Sequence, residues 1–166
     1  MKILVSSCLL GNKVRWNGAQ KLNEDLISWS KENNLEIIPI CPEDELFGTP
    51  RAPINLIQIE DKTEAVMKSE TITSELEEKA KEILERNPDA VGFIGMFGSP
   101  SCGISVGVKK AGSFSKGVMH KFAEIPTDDS RQMKNHKRRV IFLERLKKYV
   151  QEKSEKSTMV FQESRS

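Results

Sequence analysis

Each of the three cysteines of the chain follows an apolar run and stands beside residues suited to a tight loop. The pairs of apolar run and cysteine are 2–5 with Cys8, 37–40 with Cys41, and 90–96 with Cys102. Each run has the composition of a buried strand. Because chemistry in a parallel α/β sheet gathers at the carboxyl ends of the strands, we expect the three thiols to converge on one edge.

Converging thiols suggest a metal centre, although a single free cysteine is often only a small buried hydrophobe. Structural zinc takes four ligands, commonly with closely paired cysteines. The sequence has no Cys-x-x-Cys pair, and a fourth ligand would have to be His120, His136 or Glu43. Three thiolates suit an iron–sulfur cluster, in which one iron keeps an open position for substrate. The residues favour such a cluster and leave zinc open.

Polar residues beside the cysteines add candidate catalytic and binding groups. Glu43, two residues after Cys41, is a candidate general acid or base, with a surface loop carboxylate as the alternative. Ser99 and Ser101 can hydrogen-bond substrate or sulfur, or simply form a turn. Arg15 and Arg51 are candidates for binding a phosphate of the substrate, or are surface charges. These residues extend the expected site beyond the thiols.

Strand and helix patterns alternate along the chain. The predicted strands are 2–6, 36–40, 54–59 and 90–96. Three helices are predicted. The first covers 20–33, the second begins at a Ser74–Glu77 capping box and ends at Asn87-Pro88, and the third covers 129–151. Glycines 107, 112 and 117 indicate loops or a hairpin. We predict a single-domain α/β fold over 1–151, with an open, mainly parallel Rossmann-like sheet, helices on both faces and a C-terminal helix. Residues 152–166 are predicted to be a polar, disordered tail.

Composition and charge restrict the location and the partners. No apolar segment approaches the roughly 18 residues of a membrane span, and the run before Cys8 is too short for a signal peptide. We therefore expect a cytoplasmic protein with no membrane partner, in which reducing conditions keep the cysteines as thiols. A net charge of +2 does not demand a nucleic-acid partner, and we expect no binding to DNA. The basic residues Lys137, Arg138 and Arg139 form a solvated helix face or contact phosphate.

Four segments together resemble the thiouracil desulfurase (TudS-like) family, in the same order over about residues 2–117. They are 3–11 (ILVSSCLLG), 14–18 (VRWNG), 41–43 (CPE) with 49–51 (TPR), and 99–103 (SPSCG). The family usually has Tyr-Asp-Gly where this chain has Trp16-Asn17-Gly18, and a diglycine turn after Cys-Pro-Glu where it has residues 44–48. Glycine-rich nucleotide motifs and a serine-hydrolase elbow are absent.

The resemblance implies a cytoplasmic [4Fe-4S] desulfidase that hydrolytically removes sulfur from thiolated uracil bases, nucleosides or nucleotides and releases sulfide. It implies that Cys8, Cys41 and Cys102 bind the cluster. Glu43 and Ser99 would be catalytic, with Ser101, Arg15 and Arg51 binding substrate. Residues 117–145 resemble the junction of fused relatives that act on thiouridine in tRNA, so tRNA is an alternative substrate. A non-enzymatic cluster-binding sensor or accessory protein is the other alternative.

Overall fold

The computed structural model describes residues 1–60, 62–103 and 126–163. Its strands are β1 (Lys2–Ser6), β2 (Glu36–Ile40), β3 (Asn55–Ile59), β4 (Lys62–Met67), β5 (Glu70–Thr71), β6 (Ala90–Gly95) and β7 (Thr127–Asp129). Its helices are α1 (Glu24–Glu32), α2 (Pro42–Phe47), α3 (Thr73–Arg86) and α4 (His136–Glu163), with short 3-10 turns at Ser7–Leu10 and Gln132–Lys134. The predicted loops and hairpin at glycines 107, 112 and 117 lie outside the described residues.

The main sheet has the strand order β2-β1-β6-β7, and all of its pairings are parallel. After β1 the chain passes to β2 on one side and later to β6 on the other side. The strand order therefore reverses at β1, which creates a crevice at the carboxyl edge of the sheet. The predicted open, parallel α/β sheet is confirmed.

Helices cover both faces of this sheet, as predicted. Successive side chains of a strand point to opposite faces, so Ile3 and Val5 face one way and Leu4 the other. On the first face α1 and α4 supply Leu26, Trp29, Phe142 and Leu146. On the second face α3 supplies Ala80, Ile83 and Leu84. The central strands are thus buried on both sides, which explains why their sequences show no polar alternation.

The predicted strand at 54–59 forms, but it belongs to a separate antiparallel sheet with the order β3-β4-β5. This small sheet has its own core of Ala65, Ile72 and Leu76, so it packs against α3. Two large apolar side chains of β3, Ile57 and Ile59, remain exposed. The sequence pattern at 54–59 is consistent with a short edge strand, but it does not identify the strand with which β3 pairs.

The predicted capping box at the start of α3 is wrong. The cap position is Ile72, and its side chain makes no capping hydrogen bond. The hydroxyl of Thr73 instead accepts from the backbone N–H of Ala65 at 2.8 Å and donates to Glu64 at 2.5 Å. Contacts with β4 therefore fix the start of this helix, in place of a local capping motif.

The C-terminal helix α4 begins at His136, later than predicted, because β7 and a 3-10 turn occupy the residues before it. It continues to Glu163, into the segment predicted as a disordered tail, while a domain boundary at residue 151 stays a prediction. Of the predicted apolar face, Phe142, Leu146 and Tyr149 are buried. No helix in the described part of the chain is both long and apolar enough to cross a membrane.

Arginines of α4 attach it to β7 at the edge of the main sheet and to the 3-10 turn that precedes the helix. The guanidinium of Arg138 lies 3.5 Å from a carboxylate oxygen of Asp128. Nη1 of Arg139 donates to the carbonyl of Met133 at 3.3 Å, and Arg145 donates to the carbonyl of Thr127 at 3.3 Å. Two members of the basic run are therefore engaged within the chain.

Replacing Gly92 of β6 by Ala should destabilise the fold. A Cβ there would lie 2.5 Å from Cδ2 of Leu146 and 3.1 Å from Cγ2 of Ile3, so the side chain of Leu146 or the helix that carries it would have to shift. Overpacking of this kind costs about 1–3 kcal/mol of the free energy of unfolding, which urea denaturation followed by circular dichroism measures. The control is Val140→Ala on the exposed side of α4, expected within about 0.5 kcal/mol of wild type. Equal stabilities of the two variants would contradict the packing described.

Candidate active site

The three cysteines line one cavity of about 200 Å³ at the carboxyl edge of the main sheet. Cys8 follows β1, Cys41 follows β2, and Cys102 lies in the loop after β6. The loops that follow three adjacent strands therefore bring together residues far apart in sequence. The other predicted site residues line the same cavity: Arg15, Glu43, Arg51, Ser99 and Ser101.

Local backbone structure positions Cys8 and Cys41. Cys8 lies in the 3-10 turn directly after β1. This turn ends at Gly11, whose φ of 91° favours glycine. The carbonyl of Cys8 accepts from the N–H of Lys21 at 2.8 Å, which closes the following loop back on the turn. Cys41 is the cap residue of α2, and Pro42 stands at the first helical position, where its fixed φ is favourable.

A tight turn in the β6 loop positions Cys102. The hydroxyl of Ser99 accepts from the backbone N–H of Cys102 at 3.0 Å, and the carbonyl of Ser99 accepts from the N–H of Gly103 at 3.0 Å. A Cβ on Gly103 would lie 2.4 Å from that carbonyl oxygen, so this close approach requires glycine. Ser99 thus forms the turn that the sequence suggested, while its hydroxyl also faces the cavity residues.

Burial raises the pKa of all three thiols, and that of Cys41 to about 12. For Cys102, proximity to Cys41 raises the pKa further. Smaller effects oppose burial: Arg15 at Cys8, the backbone N–H of Asp44 at Cys41, and the Ser6 hydroxyl at Cys102. Only a strong positive centre would hold three such thiols as thiolates, and metal binding supplies that charge.

The arrangement of the cysteines and the other possible donors bears on which metal centre the cavity could hold. Among the described residues, no group of three His, Cys, Asp or Glu side chains is arranged to hold one metal ion. The cysteines instead surround a cavity, which fits a centre of several irons. Of the possible fourth zinc ligands, Glu43 pairs with Arg51, His136 does not line the cavity, and His120 lies outside the described residues.

Glu43 is a buried carboxylate at the centre of a hydrogen-bond network. Its Oε2 lies 2.8 Å from Nη2 of Arg51. Its Oε1 accepts from the hydroxyl of Ser101 at 2.7 Å and from that of Ser99 at 3.2 Å. The Ser101 hydroxyl also lies 3.6 Å from the sulfur of Cys102. A proton at Oε1 would therefore be one hydroxyl away from a cysteine of the proposed centre.

Arg51 joins the loop after β1 to helix α2 through one guanidinium, and its side chain is only 4% exposed. Besides Glu43 it contacts the carbonyls of Val14 and Gly48 through Nη1, each at 3.0 Å. These contacts describe a positioning residue for Glu43, and direct substrate binding by Arg51 stays a prediction. This pairing was not predicted, because a glutamate and an arginine eight residues apart do not differ by sequence pattern from surface charges.

Comparisons with known proteins give the family of the chain and a similar solved structure. The family model for 2-thiouracil desulfurase matches residues 3–130, and the chain belongs to that family. Among solved structures it is similar to the [4Fe-4S]-dependent thiouracil desulfidase TudS, with a TM-score of 0.59 and 28% identity. The alignment covers 79% of this chain and 91% of that one. No curated protein matches the sequence. The resemblance predicted from the four segments is confirmed.

Arg51→Met should lower the free energy of unfolding by about 3–5 kcal/mol, because it leaves the Glu43 carboxylate buried without its cation. Urea denaturation measures the loss. The double variant Glu43→Gln/Arg51→Met should recover much of it, since the unpaired charge is then gone. The control is Arg86→Met, which breaks an exposed pair with Glu45 and should cost less than about 1 kcal/mol. A loss for Arg51→Met as small as for Arg86→Met would refute the role of the buried pair.

Proposed function

We propose that this protein is a [4Fe-4S]-dependent desulfidase that hydrolytically removes sulfur from thiolated uracil compounds and releases sulfide. The observation that carries the proposal is one cavity lined by three buried cysteines, with a carboxylate bridged by serines to one of them. The family and the similar solved structure support the same activity.

Cys8, Cys41 and Cys102 would hold the cluster, one cysteine on each of three irons. When bound, the cluster supplies an iron without a protein ligand, a Lewis acid that suits a soft thiocarbonyl sulfur better than a hard oxygen ligand would. The cavity also provides serine hydroxyls and an arginine at its wall, which can orient a polar ring. Metal and substrate groups would thus meet in a single crevice.

Glu43 is the group that would move protons. Replacing C=S by C=O consumes one water, and the two protons of that water leave with the sulfur as hydrogen sulfide, so no electron transfer is needed. A proton from the attacking water would reach Oε1 of Glu43 through one of the serine hydroxyls that donate to it, because Arg51 occupies Oε2. Ser101 and Ser99 donate to the same Oε1, so they hold the carboxylate in place and Ser99 can orient the substrate.

The substrate that we propose is a small thiolated uracil base, nucleoside or nucleotide. Arg15 lines the cavity, and its guanidinium makes no hydrogen bond or ion pair with another described residue, which leaves it able to bind a phosphate. The tRNA alternative has less support, because Arg138 and Arg139 contact Asp128 and Met133 within the chain.

We infer a cytoplasmic location from the same site. The three cysteines are free thiols in the structure. Reducing conditions in the cytosol preserve such thiols, whereas oxidising compartments favour disulfides.

Cys41→Ser should greatly lower the iron and sulfide bound per chain after anaerobic reconstitution, because serine does not replace a thiolate ligand. Elemental analysis and the visible absorption spectrum of the cluster measure the loss. Ser7→Ala is the matched control: Ser7 lines the cavity and its hydroxyl accepts from Asn12, so its loss should leave the iron content unchanged. Full iron content in Cys41→Ser would exclude that residue as a ligand.

Glu43→Gln should lower kcat on 2-thiouracil by about 10²–10⁴-fold, because the amide has the size of the carboxylate but cannot take a proton at neutral pH. The cluster spectrum should persist, and sulfide release measures turnover. Ser99→Ala should have a smaller effect, since Ser101 still donates to Oε1 of Glu43. A wild-type rate in a fully loaded Glu43→Gln protein would rule out proton transfer by this residue.

A further inference from the structure

Trp16 combines a large exposed ring with a position on the wall of the active-site cavity. The side chain is 44% exposed, and it lines the same cavity as the cysteines. The second tryptophan, Trp29, is 7% exposed and packs in the core with ring centroids 6.1 Å from Phe142. The ring of Trp16 has no such contact with another described residue. Its apolar surface is thus left to the cavity and solvent.

The backbone that carries Trp16 is held firmly, although its ring makes no aromatic or cation–π contact with another described residue. The carbonyl of Trp16 accepts from the backbone N–H of Arg51 at 2.8 Å, and that of Val14 accepts from the Arg51 guanidinium at 3.0 Å. The N–H of Gly18 donates to the carbonyl of Arg15 at 2.8 Å, which closes a turn around the tryptophan. A binding surface on this loop would therefore need little ordering when a ligand arrives.

Phe97, the other aromatic residue among the described residues that line the cavity, is less available. The guanidinium of Arg131 lies 3.2 Å from its ring centroid and covers one face. Among the described residues at the cavity, Trp16 consequently offers the larger free π-surface. A flat conjugated ring is the ligand that such a surface recognises, whereas an open-chain thioamide would gain little from it.

We propose that the indole of Trp16 is the surface on which the pyrimidine ring of the substrate stacks. The proposal rests on the proposed function and adds the residue that selects a planar ring. Stacking of a base on an aromatic side chain tolerates substituents at the ring edge, because it uses the ring face. The thiocarbonyl edge is then left free to point toward the cysteines, and the indole acts on binding, with no part in proton transfer.

Uracil, which is the product ring and releases no sulfide, is the probe for the test. Equilibrium dialysis of labelled uracil against the reconstituted protein should show affinity about 5- to 150-fold weaker in Trp16→Leu than in wild type. Trp16→Phe, which keeps an aromatic ring, should bind uracil with an affinity near that of wild type. Leu22→Ala, which removes a similarly exposed apolar side chain outside the cavity, should not change it.

Fluorescence and kinetics give independent measurements. In protein without cluster, uracil should quench tryptophan emission of wild type but not of Trp16→Phe, in which only the buried Trp29 remains. In loaded enzyme, Trp16→Leu should raise KM for 2-thiouracil and leave kcat and iron content close to wild type. Unchanged uracil affinity and unchanged KM in Trp16→Leu would overturn the stacking role while sulfide release by wild type still supports the function. If wild-type protein that carries its cluster released no sulfide, the proposed function would be overturned. The uracil measurements alone would then test whether Trp16 binds the ring.

Discussion

The buried pair of Glu43 and Arg51 is the interaction on which the arrangement of the active site depends. One guanidinium contacts the loop after β1 through Val14, the end of α2 through Gly48, and the carboxylate of Glu43. That carboxylate in turn accepts from Ser101 in the loop after β6. Since a desolvated charge pair is costly to break but gives modest net stability, its principal effect here is to hold the loops in one arrangement.

The parallel sheet explains why a few residues in separate loops are enough to form the site. Strand order reverses at β1, so the loops after β1, β2 and β6 diverge from one edge and leave a crevice between them. Cysteines in these loops become neighbours without any local motif, and burial that raises the pKa of each thiol makes the metal-free site electrostatically poor for thiolates. Filling the crevice with a positively charged metal centre would therefore release protons and stabilise the loops together.

Much of this could be predicted from sequence because it depends on local pattern. The strands around Ile3, Ile38 and Phe93 have unbroken apolar runs, and a cysteine after each run is enough to infer convergence. The pairing of β3 in a separate sheet, the start of α3 at Thr73 and the partner of Arg51 were not predictable in this way. Each of these is decided by contacts between neighbouring segments of the chain, and neither periodicity nor charge count specifies which residues pair.

The contacts of the arginine side chains distinguish those with a structural role from those available to a ligand. Arg51 is committed to Glu43, while Arg138 and Arg145 are committed to β7 through Asp128 and Thr127. Each of these contacts ties a loop or helix to the sheet, so each charge is already used. At the cavity, the guanidinium of Arg15, which pairs with no other described residue, and the exposed ring of Trp16 belong to neighbouring residues in a loop whose backbone is fixed. A cation and an aromatic face without partners among the described residues complement a pyrimidine nucleotide, which carries a phosphate and a flat ring.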